Sequence, residues 1–184
     1  MRAGLVERAR EGDHDAFTEL VAVDSDRCYA IAYRILRDVE RAQDAVQQAF
    51  MLVWRELPRL RDPARYEVWL HRLLVNACYE ESNRHRRWSV HIRALPEDGP
   101  GGRDPEIVAV DERDAMERAF RRLSPEHRAV IVLHHHVGLP LGTIGEIVGV
   151  PVGTVKSRLH YATHSLRAAL AADDAPDLRE VRPA

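Results

Sequence analysis

The stretch of sequence that decides the fold is GLPLGTIGEIVGVPVGTVKSRLHYATHSL, residues 138–166. Apolar residues at helical spacing predict a short first helix, formed around Leu141, Ile144, Ile147 and Val148. The turn at residues 149–151, which contains a glycine and a proline, interrupts this pattern. A longer second helix follows, with one apolar stripe made of Val155, Leu159, Ala162 and Leu166. Two helices around a tight turn predict a helix-turn-helix.

The opposite face of the second helix carries hydroxyl groups and cations near its start. Such a face can contact the phosphates and base edges of a DNA major groove at the same time. The residues assigned to this contact are Gly153, Thr154, Lys156, Ser157, Arg158 and Tyr161. A structural helical hairpin with a solvated polar face has the same periodicity, so periodicity alone leaves both interpretations open.

The run PVGTVKSRL at residues 151–159 is more specific than helical periodicity. It resembles the recognition-helix signature in the fourth domain of bacterial sigma factors, and most closely that of the extracytoplasmic-function (ECF) class. The resemblance implies that this helix reads the minus-thirty-five element of a promoter. Gly142 and Gly145 depart from the family, which has better helix formers at those positions.

A helix is predicted over residues 39–57, with a core stripe made of Val46, Ala49, Phe50 and Val53. Its polar face is most simply a solvated surface. However, the run DAVQQAF at residues 44–50 resembles the D-x-x-Q-(E/D)-x-F motif in the second domain of sigma factors. The resemblance implies binding to the clamp helices of the largest polymerase subunit through Asp44, Gln47, Gln48, Phe50 and Met51. Gln48 stands where the family carries an acidic residue, which removes one charge.

Residues 66–87 predict another helix, with Trp69, Leu70, Leu73, Leu74 and Ala77 facing inward. Another stripe of this helix carries cations, amides and an aromatic residue. It is either a platform for single-stranded nucleic acid or a charged helix end. The segment resembles the sigma-factor helix that melts DNA and reads the minus-ten element, and the loop before it resembles the one that captures a flipped base. The implied contacts are Leu60, Arg61, Arg65, Arg72, Asn76, Tyr79, Asn83, Arg86 and Arg87.

Five further helices are predicted. Residues 5–22 form two helices with a break at Gly12-Asp13, where Asp13 or Asp15 is the cap. Residues 28–36 form a separate helix, with Tyr29, Ala32, Tyr33 and Leu36 buried. Residues 114–123 form the next helix, and residues 124–137 form another that begins with a Ser124 cap and a proline. Val130, Ile131 and Leu133 of this last helix are predicted to bury against the helix-turn-helix.

Composition divides these helices into two domains. The chain has 184 residues, 45% of them apolar, and a net charge of −2. Residues 91–115 hold three basic and seven acidic side chains, whereas residues 116–170 hold seven basic and three acidic ones. We therefore predict an all-α protein with a helical domain at 1–88, a flexible acidic linker at 89–112, a helix-turn-helix domain at 113–170 and a disordered tail at 171–184.

Several function classes are disfavoured. No apolar run is long enough to span a membrane and no signal peptide is evident, which favours a cytoplasmic protein with reduced Cys28 and Cys78. Consecutive histidines on a helix point about 100° apart, so His134, His135 and His136 cannot close one metal shell. No catalytic constellation is present and no cofactor is predicted, so the chain is not expected to be an enzyme.

The resemblance covers nearly the whole chain and implies promoter-specific transcription initiation. Its implied partners are core RNA polymerase (the clamp helices of the largest subunit and the flap of the second largest), promoter DNA and an anti-sigma factor. The linker would thread the polymerase active channel. Two alternatives remain: a stand-alone helix-turn-helix regulator, which leaves the first domain unexplained, and a metal-dependent enzyme built on the histidines.

Overall fold

A computed structural model describes residues 2–93 and 111–173, and all regular secondary structure within those two ranges is helical. This confirms the predicted all-α fold. The helices are α1 (Arg2–Arg10), α2 (His14–Leu36), α3 (Val39–Glu56), α4 (Tyr66–Arg93), α5 (Asp111–Arg122), α6 (Pro125–Ile131), α7 (Leu141–Val148) and α8 (Val152–Asp173). Two short 3-10 turns, Leu57–Arg59 and Pro63–Arg65, connect α3 to α4.

The first domain consists of α1 to α4, with α2 and α4 both packed against α3 and with α1 on α2. Leu20, Ile31, Val53 and Leu74 are fully buried in its centre. The predicted stripe of α3 is confirmed for Ala49, Phe50 and Val53, while Val46 is half-buried. Alanines on the same side of α3 allow the neighbouring helices to approach closely.

Helix α2 is one continuous element, so the prediction of a separate helix at residues 28–36 is wrong. No glycine or proline interrupts residues 14–36, and the apolar spacing continues through them. The buried side includes Cys28, Ile31 and Ile35, whereas Tyr29 and Tyr33 are only half-buried. The predicted stripe is therefore confirmed for Ala32 and Leu36, which are buried, and wrong for the two tyrosines.

Both ends of α2 have local causes, and at the first end the cap is Asp13, one of the two predicted candidates. The carboxylate of Asp13 accepts hydrogen bonds from the backbone N–H groups of Asp15 and Ala16, each at 3.0 Å. At the other end Arg37 adopts the left-handed conformation with φ 58°, and its N–H donates to the Tyr33 carbonyl. Asp38 then caps α3 by accepting from the N–H of Arg41.

The second domain consists of α5 to α8. Ser124 caps α6 as predicted, with its side chain accepting from the N–H of His127. Instead of continuing to Val137, the α-helix gives way after Ile131 to a π-helical turn over Val132–His136. Val130, Ile131 and Leu133 are buried, as predicted.

The turn between α7 and α8 depends on two glycines. Gly149 ends α7 in the left-handed conformation with φ 71°, which glycine adopts without steric cost. At Gly145 an added Cβ atom would lie 2.9 Å from the carbonyl oxygen of Val150. The same turn closes with a hydrogen bond from the N–H of Val150 to the Gly145 carbonyl at 3.0 Å. Gly145 therefore lets α7 approach the chain that leads into α8.

The two domains contact one another directly. Helix α7 packs against α4, and α6 packs against α2 and α4. Buried apolar residues of both domains form one continuous cluster. Two ion pairs also cross the boundary, Arg37 with Glu117 and Arg65 with Glu146.

The helices extend somewhat further than the predicted domain limits. Helix α4 continues to Arg93, α5 begins at Asp111, and α8 continues to Asp173. Most of the predicted linker and tail, residues 94–110 and 174–184, lies outside the described residues. Within the described ranges no helix combines the length and apolar character that crossing a membrane requires.

Candidate nucleic-acid interface and partner-binding face

Helix α8, the predicted recognition helix, presents most of its predicted contact residues to solvent. Gly153, Lys156 and Ser157 are exposed, and the Tyr161 side chain is 58% exposed. Val155 and Ala162 anchor the opposite side of the helix in the core. Because α8 begins at Val152, these polar residues occupy its first turns, which is where a helix enters a major groove.

Two contacts orient this face. The Ser157 hydroxyl donates to the Thr154 carbonyl at 2.9 Å, which leaves its oxygen free to accept a further hydrogen bond. The Tyr161 ring lies 4.7 Å, centroid to centroid, from the ring of His127 on α6. Arg158 is half-buried at the edge of the face, close enough to Glu126 and His127 to shift their pKa values.

The loop before α4 and the start of α4 form a cleft with a volume of about 490 Å³. It brings together four of the predicted minus-ten residues with one aromatic side chain and one acidic residue of the second domain. Its lining consists of Leu60, Arg61, Asp62, Arg65, Val68, Trp69, Arg72 and Glu146. Cations beside an apolar and aromatic surface suit a single nucleotide strand, because phosphates pair with the cations and bases stack on the ring.

The remaining predicted minus-ten residues lie further along α4. Asn76 is exposed, whereas the Tyr79 hydroxyl is buried and has no hydrogen-bond partner. Asn83 accepts a hydrogen bond from Arg86 at 3.0 Å. Asn83 and Arg87 line a groove beside α3 rather than the cleft at the start of α4. The structure therefore divides the predicted set between two surfaces.

The predicted polymerase-binding residues form one face, with one exception. Asp44, Gln47, Gln48 and Met51 line a single shallow pocket, and Met51 is 66% exposed. Phe50 points the other way and is only 8% exposed. Its side chain belongs to the core, so it supports this face from beneath. The reason is helical geometry, since Phe50 follows the apolar stripe of Ala49 and Val53.

A carboxylate of a neighbouring helix lies beside Gln48. The Gln48 side-chain amide donates to the carboxylate of Glu80 on α4 at 2.5 Å. Arg84 of α4 reaches the same face and lies 3.5 Å from the Asp44 carboxylate. Sequence analysis missed Glu80 and Arg84 because only the packing of α4 on α3 brings them to the predicted motif.

In the part of the chain that the structure describes, the histidines do not assemble into a metal site. Within residues 2–93 and 111–173, no three His, Cys, Asp or Glu side chains come together in a way that could hold a metal ion. His134 contacts His135 ring to ring at 4.7 Å, and its Nδ1 lies 3.3 Å from the Leu139 carbonyl. These contacts fit a structural role in the π-helical turn that follows α6.

Both cysteines are buried as free thiols. Burial raises the pKa of Cys28 to about 12 and that of Cys78 to about 12 as well. A thiol with such a pKa holds almost no thiolate near neutral pH, and the thiolate is the reactive form. The two residues therefore act as core side chains.

Comparison with known proteins agrees with this geometry. Residues 20–88 match the family model "Sigma-70 region 2", and residues 119–168 match "Sigma-70, region 4". The chain is 35% identical over 147 residues to the ECF RNA polymerase sigma factor SigM of Mycobacterium tuberculosis, covering 80% of this chain and 73% of that protein. It is 31% identical over 167 residues to the RNA polymerase sigma factor CarQ of Myxococcus xanthus, covering 88% and 93%.

Solved structures show the same fold. The sigma factor RpoE, solved with the anti-sigma factor NepR from Bartonella quintana, superposes with a TM-score of 0.66 at 22% identity, covering 85% of this chain and 98% of that one. CnrH, solved with the cytosolic domain of CnrY, superposes with a TM-score of 0.65 at 24% identity, covering 94% and 98%. The class defined by fold and surfaces is a two-domain helical protein of the sigma-70 type. Within that class, the chain belongs to the ECF RNA polymerase sigma factors.

Proposed function

We propose that this protein binds core RNA polymerase through α3 and directs transcription initiation from specific promoters. The first domain would contact the polymerase clamp helices through Asp44, Gln47, Gln48 and Met51. Its cleft around Arg61, Arg65 and Trp69 would hold the minus-ten strand. The first turns of α8 would read the minus-thirty-five duplex, and the second domain would also contact the polymerase flap.

One observation carries this proposal. A single chain presents two different surfaces suited to nucleic acid, a cation-and-aromatic cleft on α4 and a polar helix start on α8. A cleft of the first kind suits a single strand, and a helix of the second kind suits a duplex. Melted promoter DNA offers both forms at once, whereas an ordinary operator offers only the duplex.

Further properties of the proposal follow from the family. The protein would act in the cytoplasm, where polymerase and chromosome are located. It would have no catalytic activity of its own, since RNA synthesis belongs to the polymerase. An anti-sigma factor would control it by covering its functional surfaces. A stand-alone helix-turn-helix regulator is the alternative, but such a regulator gives no role to the face on α3.

Run-off transcription with purified core polymerase over a library of promoters tests this function. We expect transcripts from a defined subset of promoters only when the protein is added. The control is the free protein with the same duplexes, which should bind them weakly because most of its DNA affinity depends on the polymerase. Tight sequence-specific binding by the free protein, with no transcripts from core polymerase, would favour the alternative regulator.

A further inference from the structure

The polymerase-binding face proposed on α3 continues onto α4. Asp44, Gln48 and Arg84 line the shallow pocket on α3, and the same three residues line a groove of about 1030 Å³ between α3 and α4. Glu80 of α4 also lines this groove and is exposed. A partner that covers Asp44 and Gln48 therefore also meets side chains of α4.

The acidic side chains at this boundary differ in how their charge is compensated. The Arg84 guanidinium lies 3.5 Å from the Asp44 carboxylate and also forms an ion pair with Glu81. Glu81 is only 5% exposed, so Arg84 is held between one buried and one exposed carboxylate. Among the described residues, by contrast, the Glu80 carboxylate forms no ion pair. Glu80 therefore leaves a negative charge on the groove that none of these residues neutralises.

A hydrogen bond fixes where this charge lies. The side-chain Nε2 of Gln48 donates to Oε2 of Glu80 at 2.5 Å. A carboxylate can accept about four hydrogen bonds, so Glu80 can still accept from a partner. The amide is neutral, so it orients the carboxylate without cancelling its charge. Gln48 is half-buried and Glu80 is exposed, so the outer of the two groups is the charged one.

The chemistry of this pair favours a guanidinium or ammonium group as its ligand. Arginine and lysine donate charge-assisted hydrogen bonds to carboxylates, and these bonds are stronger than those between neutral groups. The bond from Gln48 also restricts the exposed Glu80 side chain before a partner arrives. Less conformational entropy is then lost on binding.

We infer that Glu80 is a further polymerase-binding residue, which meets a basic side chain of the clamp helices while Gln48 positions its carboxylate. The inference rests on the proposed function for the identity of the partner. In its terms α4 contributes to two surfaces, the cleft at its start and the polymerase-binding face near its middle. The negative charge beside position 48 then belongs to the neighbouring helix, across a single hydrogen bond.

The first test is Glu80→Gln in the full chain, which removes the charge and keeps the size of the side chain. Fluorescence anisotropy of the dye-labelled chain, titrated with core polymerase, measures the affinity. We expect roughly two- to fivefold weaker binding at low salt, as for the loss of one exposed ion pair. The difference should shrink as the salt concentration rises, because salt screens exposed charges. Glu19→Gln is the matched control, since it removes an exposed negative charge from α2, near Arg8 of α1.

A second variant moves the charge across the hydrogen bond. Gln48→Glu combined with Glu80→Gln exchanges the amide and the carboxylate, so the charge stays on the face and the bond is reversed. We expect this double variant to recover most of the affinity and the salt dependence of the wild type. In the single variant two neutral amides can keep the hydrogen bond, so thermal unfolding should be unchanged. A purely structural role of the bond would therefore leave polymerase affinity unchanged in the single variant.

Unchanged affinity in Glu80→Gln, an equal loss in Glu19→Gln, or no recovery in the double variant would overturn the inference. Asp44→Arg combined with Gln47→Ala, titrated in parallel, separates this failure from failure of the proposed function. If that variant binds polymerase more weakly and Glu80→Gln does not, the face on α3 is correct and α4 takes no part in it. If the wild-type chain does not bind core polymerase, the proposed function fails and the inference fails with it.

Discussion

At the scale of single residues, the first domain keeps several ionisable side chains in their neutral forms by burial. His71 on α4 is 2% exposed, and its Nδ1 atom has no hydrogen-bond partner. Burial, together with the nearby charge of Arg27, lowers the pKa of His71 to about 4. Cys28 and Cys78 lie in the same core. The shifted pKa values of these side chains can be tested through the pH dependence of stability and through thiol reactivity.

We expect the stability of the protein to fall on acidification between about pH 6.5 and pH 4. In this window the unfolded chain binds a proton at His71 that the folded chain does not, so stability is complete above the window and is lost as the pH decreases. The loss attributable to His71 is about 3 kcal/mol at most, from the size of the shift. Urea unfolding at several pH values measures it. His71→Leu should flatten the dependence, whereas a substitution at the exposed His160 should not.

The carboxylates of Asp13 and Asp38 affect stability in a different pH range. Hydrogen bonds from backbone N–H groups lower the pKa of Asp13 and of Asp38 below the usual 3.8. Their contribution to stability is therefore lost only at more acidic pH than the His71 window. If His71→Leu left the slope above pH 4 unchanged, the assignment of that slope to His71 would be wrong.

The thiols provide a second residue-scale prediction. Since each pKa is about 12, we expect neither Cys28 nor Cys78 to react with a thiol reagent at pH 8 in the native protein. Both should react after unfolding in guanidinium chloride. We also expect no functional disulfide. A double Cys→Ser variant that kept its fold but lost an oxidant-dependent response would contradict this expectation.

At the scale of elements, α7 shows how glycine can have opposite roles within one helix. Nothing lies within 4 Å of a Cβ atom added at Gly142, whereas one added at Gly145 meets the Val150 carbonyl oxygen at 2.9 Å. The oxygen belongs to the backbone of the turn and cannot move aside like the end of a flexible side chain. The first glycine only weakens the helix, and the second is required by the turn.

The two glycines therefore form a matched pair of substitutions. Gly142→Ala should stabilise the protein by up to about 1 kcal/mol through its better helix propensity. Gly145→Ala should destabilise it and displace α8, because the turn must widen. Thermal unfolding of the full chain measures both effects, and promoter selectivity should fall only for Gly145→Ala. Equal stabilisation by both substitutions would show that the turn does not need the close approach.

At the scale of the whole molecule, the two domains are proposed to have separate tasks. Asp44 and Gln47 lie on an exposed face of α3, and Arg158 lies at the edge of the recognition helix α8. The Asp44–Arg84 pair on that face is exposed at both ends, so its loss should have little effect on stability. Substitutions at the two places should consequently affect different properties.

We expect Arg158→Ala to weaken promoter-specific transcription while leaving assembly with core polymerase almost unchanged. A base-edge contact contributes about 1–3 kcal/mol to discrimination, whereas a phosphate contact would weaken binding to all sequences equally. Asp44→Arg combined with Gln47→Ala should instead reduce polymerase affinity, while Ala49 and Val53 maintain the fold. Circular dichroism checks that fold. Polymerase affinity and promoter selectivity are then measured on both variants. Loss of the same property in both variants would contradict the division of tasks.

The sequence by itself determined the helices, most of their ends and the class of protein. Asp13, Ser124 and Gly149 act through hydrogen bonds and backbone conformations of their immediate neighbours, so their effects can be predicted from local spacing. The surface motifs on α3 and α8 were also found because a helix presents residues three and four apart on one side. The same local argument wrongly predicted that Tyr29 and Tyr33 of α2 are buried. Periodicity identifies an apolar stripe, but it does not show whether a neighbouring helix covers all of that stripe.

Tertiary structure decided which side chains meet across the helices. Glu80 reaches Gln48 from a position 32 residues away, and Glu146 reaches Arg65 from 81 residues away. It also placed the Tyr79 hydroxyl out of contact with water. Helical periodicity specifies the direction of a side chain relative to its own helix, whereas these contacts depend on how whole helices pack. The physical reason is that packing brings together residues that are far apart along the chain. Such contacts produce no pattern in the local sequence.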